Sequence, residues 1–178
     1  TGYNYLGFNT KVGALSDVRV RQAVSYLINR EGIVNRVLNG IGTPGIGPIP
    51  EALPWFNPNV MRYPYNVEKA KELLAEAGYG PGDIKLRLFT NENPDRMRIA
   101  EILQFEAQKA GIEVEVTIEE WGAYLSRIQE TDDFDIFILG WSGQLDPDRA
   151  MIRQFHTNGA NNYGKYYNER LDYLLDYG

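Results

Sequence analysis

The sequence contains no cysteine. A thiolate nucleophile, a cysteine-ligated zinc and a disulfide framework are therefore excluded. The absence is compatible with an oxidising compartment but does not demonstrate one. Histidine is almost as scarce, His156 being the single example. No apolar stretch approaches the roughly 20 residues needed to span a bilayer. Positive charge is also short. With 18 basic against 24 acidic residues the formal net charge is −6, which argues against a nucleic-acid backbone as partner. No basic run is long enough to suit a membrane surface. No P-loop is present, and neither nucleotide binding nor any other cofactor is expected.

Apolar residues make up 43% of the 178-residue chain, enough for one folded domain with a real core. The chain is organised around Phe134 to Arg149. That stretch opens with Phe134, Ile136, Phe137, Ile138 and Leu139, broken only by Asp135. Near-continuous hydrophobicity predicts a strand buried on both faces, ending at Gly140. The residues from Trp141 to Asp148 then read as a loop. In open α/β sheets ligands bind just beyond the carboxyl ends of such strands.

The remaining elements follow from periodicity. Asn4 to Asn9 is predicted as a strand, and Asp17 to Asn29 as an amphipathic helix with Ser16 as its cap. A second helix runs through Ile33, Val34, Val37 and Leu38. The Gly/Pro-dense segment 40–58 admits no regular element, and Trp55 and Phe56 are expected to anchor it to the domain. Asn66 caps a helix over Val67–Ala77. Ile84, Leu86 and Leu88 alternate with Lys85 and Arg87 in a half-exposed strand. Pro94 opens a helix with Ile99, Ile102, Leu103 and Ala107 on its buried face. Ile112, Val114, Val116 and Ile118 form the next strand, and Trp121 to Ile128 is helical. Short helices are predicted over Arg149–His156 and Asn168–Tyr177. Strand, helix, strand, helix, strand gives an α/β fold, a mixed sheet flanked by helices. The sequence opens directly on a strand pattern, without a signal-peptide pattern. It ends within the helix marked by Leu171, Leu174 and Leu175, so it reads as a piece of something longer.

Catalysis can be tested at Ser142. Gly140-Trp141-Ser142-Gly143 resembles the start of a nucleophile elbow, but Gln144 occupies the position where G-x-S-x-G needs its final glycine. His156 is the only base for such a mechanism, with no clear acidic partner to orient it. A serine hydrolase built on Ser142 is the alternative from another functional class. Metal binding could be sought at Asp146 and Asp148 or at Asp132, Asp133 and Asp135. Neither cluster has the spacing of a calcium loop, and no metal is expected. Most of the 12 tyrosines are expected at the core edge, and a few are expected to line a site with their polar tips.

Several stretches, in this order, resemble the family 5 extracellular solute-binding proteins. They are Tyr5-Leu-Gly-Phe-Asn9, Asp17-Val-Arg-Val-Arg-Gln-Ala23, Tyr63-Pro-Tyr-Asn66, Glu68-Lys-Ala-Lys-Glu-Leu-Leu74, and Gly140-Trp141 through Asp146-Pro147-Asp148. That family comprises the dipeptide-, oligopeptide- and nickel-binding components of ABC importers. The resemblance implies one lobe of a periplasmic-binding-protein-like class II fold, spanning residues 1–178 and corresponding to the C-terminal-side lobe of a longer protein. The missing N-terminal lobe and an ABC permease would be its partners. The expected location is extracytoplasmic, in the periplasm or on the outer face of the cell membrane. It implies capture of a solute between two lobes and no catalysis.

In peptide-binding members an aspartate after Gly-Trp pairs with the ligand's α-amino group. Gln144 stands there, and the stretch before Asp-Pro-Asp is shorter than in dipeptide binders. Either Asp146 supplies the charge from a shifted register, or the ligand has no ammonium at that point. A short peptide is the leading ligand, and an oligosaccharide or other uncharged solute is the alternative. An arginine at the start of the helix after the second strand holds the ligand carboxylate in dipeptide binders. Arg96 and Arg98 occupy that region, and the alternative is that both are solvated first-turn residues. Trp141 either stacks on the ligand or plugs the core. The expected ligand-binding set is thus Trp141, Ser142, Gly143, Gln144, Asp146 and Asp148, with Asn91, Arg96 and Arg98.

Overall fold

The computed structural model describes residues 2–142 and 147–177. Four strands form one mixed sheet in the order β1-β4-β2-β3. They are β1 (Gly2–Phe8), β2 (Ile84–Asn91), β3 (Ile112–Glu119) and β4 (Ile136–Ser142). β2 is parallel to β3 and β4, whereas β1 closes the other edge antiparallel to β4. The helices are α1 (Val18–Tyr26), α2 (Arg30–Arg36), α3 (Val67–Glu76), α4 (Pro94–Lys109), α5 (Trp121–Ser126), α6 (Pro147–Phe155) and α7 (Glu169–Tyr177). α4 and α5 provide the crossovers that let β2, β3 and β4 run parallel. None of the described helices is long and apolar enough to cross a membrane.

β4 is an interior strand, and Ile136 to Leu139 are all buried, as the apolar run predicted. Successive side chains point to opposite faces, so this one strand feeds two cores. Ile136 and Ile138 join Val20, Val24, Leu73, Leu74 and Leu103 beneath α1, α3 and α4. Phe137 and Leu139 join Phe134, Tyr124, Ile128 and Tyr163 in an aromatic cluster on the other face. The strand does not stop at Gly140. Gly2, Tyr3 and Asn4 stand opposite Ser142, Trp141 and Gly140 and carry the pairing two residues further.

Other expectations need correction. β2 alternates as expected only as far as Leu88, with Lys85 exposed and Arg87 partly so, and beyond it Phe89 and Thr90 are both buried. There the Thr90 hydroxyl donates to the Ile138 carbonyl at 3.1 Å, tying β2 to β4. The cap of α1 is Asp17, whose Oδ1 accepts the Arg19 amide, because Gly13–Ser16 winds into a short 3-10 turn that contains Ser16. Asn66 and Asn93 cap α3 and α4 as side-chain acceptors.

The helix from Trp121 is α-helical only to Ser126, and Arg127–Thr131 forms a wider π-helical turn. Arg127 is drawn there to Glu119 at 2.6 Å and Asp133 at 3.1 Å, and the Thr131 hydroxyl donates to the Arg127 carbonyl. Trp55 is 58% exposed and does not anchor its loop. The segment is fastened further on, where the Tyr63 ring meets Tyr26 edge-on at 5.2 Å and the Tyr63 carbonyl accepts from Arg30. Gly40, Gly42 and Gly45 have G-x-G-x-x-G spacing. They follow α2 and open no helix, so the strand-to-helix context of a dinucleotide fingerprint is not met.

The same segment is latched a second time. Tyr65 and Lys109 both donate to Glu106 Oε2, the lysine at 2.6 Å. Glu106 is only 4% exposed. Burial pushes its carboxyl up, but the hydrogen bonds from Lys109 and Tyr65 outweigh this and hold it below the usual range. A carboxyl depressed by folding stabilises the fold above its unfolded pKa of about 4.3. That contribution is lost as pH falls through the lower folded value. Glu106→Gln is expected to cost about 1–3 kcal/mol at neutral pH. It should also flatten the acid limb of the stability curve. Urea unfolding across acidic and neutral pH reads both, and an unchanged acid limb would refute the assignment.

Candidate ligand site at the strand ends

The carboxyl ends of the parallel strands lie side by side, with Asn91 closing β2, Glu119 closing β3 and Gly140–Ser142 closing β4. Antiparallel β1 brings Gly2–Asn4 to the same end. The first turn of α4 stands over them. Asn93 Oδ1 accepts the amides of Asp95 and Arg96, both at 3.1 Å. This cap fixes where Arg96 leaves the helix.

Arg96 Nε donates to Asn4 Oδ1 at 3.1 Å and Nη1 donates to Asn91 Oδ1 at 2.8 Å. Nη2 lies against Gly140. A Cβ there would sit 2.3 Å from Nη2 and 3.1 Å from Asn4 Oδ1. Only glycine leaves that space, so the residue that ends the apolar run also seats the guanidinium. Among the described residues no carboxylate lies within ion-pair distance of Arg96 and no acceptor meets Nη2. The contrast with Arg87 is sharp: that side chain is held by Asp133 at 2.6 Å and Asp135 at 3.1 Å. The hydrogen bonds that it donates to Asp135 and Asp133 push the Arg87 guanidinium up from its ordinary value.

Arg98 is exposed, and among the described residues it has no ion-pair partner. Residues two apart on a helix point about 200° from each other. With Arg96 over the strand ends, Arg98 faces away from them. Asn91 and Arg96 are thus brought together, and Arg98 is not.

Trp141 lies opposite Tyr3 on the aromatic side of the sheet, while Gly140 lies opposite Asn4 on the side of Arg96. The Trp141 ring is half-buried, and its Nε1 is a buried donor with no acceptor among the described residues. Nearby, Tyr3 exchanges hydrogen bonds with Gln154 of α6. Ser142 is an exposed strand residue. His156 Nδ1 accepts the Asn158 amide at 2.9 Å and Nε2 stands 3.5 Å from Asp176. The histidine therefore has an acidic neighbour that the sequence did not reveal. No hydrogen bond joins His156 to Ser142 among the described residues, and the hydrolase alternative gains nothing from the geometry. Asp148 is exposed in the first turn of α6. Gly143, Gln144 and Asp146 lie outside the described residues. Among the described residues no group of three or more acidic or histidine side chains is placed to hold a metal ion. Asn4 was missed, since only the register of β1 against β4 brings it to this end of the sheet.

The chain is similar to known proteins in sequence and fold. The profile of the bacterial extracellular solute-binding proteins, family 5 Middle, matches residues 1–163. Heme-binding protein A of Haemophilus influenzae is 34% identical over 179 residues, covering 97% of this chain and 32% of that protein. The dipeptide-binding protein of Escherichia coli is 34% identical over 170 residues, covering 91% of this chain and 32% of that protein. The structure of the Bacillus subtilis oligopeptide-binding protein AppA, in complex with a nonapeptide, superposes with a TM-score of 0.86 at 35% identity, covering 98% of this chain and 38% of that one. The chain spans about a third of the length of the curated relatives it matches. The periplasmic-binding-protein-like α/β architecture is shared with such structures. The chain belongs to the bacterial extracellular solute-binding proteins, family 5.

Proposed function

We propose that this chain is one lobe of the solute-binding component of an ABC importer, and that its strand ends hold the carboxylate of a short peptide. The observation that carries this reading is the Arg96 guanidinium, held by two neutral asparagines and facing no carboxylate among the described residues. A ligand carboxylate is the natural partner for such a group, because its oxygens match the guanidinium fork. Support also comes from relatives named for dipeptide binding and from the relative that holds a nonapeptide. The second lobe closes over the ligand by a hinge movement, and the loaded protein meets its permease outside the cytoplasm. The protein binds and does not catalyse. A lobe alone binds weakly, since half of the contacts are missing.

The test uses the protein extended by the lobe that its relatives carry. Thermal melting is recorded with dipeptides and tripeptides, the same peptides amidated at the C-terminus, neutral oligosaccharides and nickel chelates. A ligand that binds only the folded state raises the midpoint by mass action. Peptides with a free carboxylate are expected to give the largest shift. Arg96→Met should weaken them by roughly 10- to 150-fold, the equivalent of about 1.5–3 kcal/mol for a charge-assisted hydrogen bond. A shift with oligosaccharides alone would sink the peptide reading.

A further inference from the structure

We infer that Asn4 and Asn91 are the residues that make this site selective for an anion, by holding Arg96 in place without neutralising it. The inference rests on Arg96 as the carboxylate anchor and deepens that reading.

Several arginines of this chain are positioned by carboxylates that consume their charge, whereas Arg21, Arg30 and Arg153 are held, like Arg96, by neutral carbonyl or amide oxygens. Arg87 is fixed by Asp133 and Asp135, Arg127 by Glu119 and Asp133, and Arg19 by Asp17. Each of these guanidiniums is well placed and electrostatically spent. Arg96 is fixed as firmly in geometry, with one acceptor on Nε and another on Nη1. Both acceptors are amide oxygens, which supply the lone pair of a carboxylate without its full negative charge. A guanidinium does not deprotonate in a protein, so its charge remains available for a ligand.

The sheet explains how two such acceptors meet one side chain. Asn4 is on β1 and Asn91 on β2, and β4 lies between them. Arg96 therefore bridges three adjacent strands, and it can do so only because the middle strand has no side chain at Gly140. Its plane is set at both ends, and Nη2 is the nitrogen left without an acceptor among the described residues. Aspartate at either position would keep the shape and the acceptor but add a charge directly against Arg96.

The two-lobed protein is titrated with a free-carboxylate peptide and with its C-terminal amide, as wild type, Asn91→Asp and Asn4→Asp. A purely structural role predicts that aspartate serves as well as asparagine, since it holds a guanidinium at least as tightly. Neutral positioning predicts that each variant keeps its melting midpoint without ligand and loses at least about tenfold of the preference for the carboxylate over the amide. Wild-type preference retained in both variants would overturn the inference and leave Arg96 as the anchor. A wild type that does not distinguish acid from amide would overturn the anchor reading and the inference with it. The two asparagines are on different strands, so misfolding of one variant leaves the other to decide.

Discussion

Gly140→Ala should lower the affinity for a free-carboxylate peptide by roughly 10- to 150-fold, the worth of a charge-assisted hydrogen bond, while leaving the melting midpoint nearly unchanged. The new Cβ would sit 2.3 Å from Arg96 Nη2, which is far inside contact distance. The clashing atom is the tip of a long, flexible side chain, so relief is cheap for the fold: the guanidinium swings away. Swinging away breaks the bonds to Asn4 and Asn91 together. The cost therefore falls on ligand binding and not on stability. Calorimetric titration beside a thermal melt separates the two. A large drop in the midpoint with unchanged affinity would show that Gly140 serves packing, and the seat for Arg96 would have to be abandoned.

Phe137→Ala is expected to cost about 3–5 kcal/mol, the usual range for emptying a buried aromatic site. That is a large share of the roughly 5–15 kcal/mol that holds a typical domain together. Phe137 is 2% exposed and sits at the centre of the aromatic cluster. Its ring meets Phe134 at 5.3 Å, Tyr5 at 5.7 Å and Tyr163 at 6.2 Å, all edge-on. It also lies over Gly7, its partner in the β1–β4 register, where a Cβ would be 2.1 Å from the ring.

Here the clashing atoms belong to a buried ring with nowhere to go, unlike the tip of Arg96. Gly7→Ala alone should therefore cost about 1–3 kcal/mol by overpacking. In the Phe137→Ala background the same methyl enters vacated space, so the double variant should be less destabilised than the sum of the two. Urea denaturation of the four proteins gives the coupling. Additivity to within about 0.5 kcal/mol would contradict the packing described.

The aromatic cluster and the arginine seat differ in how much of each could be read in advance. The burial of Phe134, Ile136, Phe137, Ile138 and Leu139 was legible because an interior strand must be apolar on both faces. The cap at Asn66 was legible for a similar reason, since it bonds an amide three residues along the chain. Periodicity likewise marked the buried faces of α1 and α4. These features depend on residues close in the chain, so the sequence by itself determined them, and with them the α/β order.

The tertiary structure decided what depends on distant partners. β4 extends to Ser142 because β1 lies beside it, and no local signal records that neighbour. Trp55 and Tyr63 are both aromatics in one irregular segment, and only the position of Tyr26 and Arg30 selects Tyr63 as the anchor. His156 meets Asp176 because α7 folds back on α6. Arg96 and Arg98 were equivalent as letters, and the phase of α4 over the sheet separated them. Asn4 and Arg96 lie 92 positions apart, and their hydrogen bond exists only once β1 pairs with β4. Local periods and caps follow from neighbours along the chain, whereas a ligand site is assembled from the ends of elements that meet only in three dimensions.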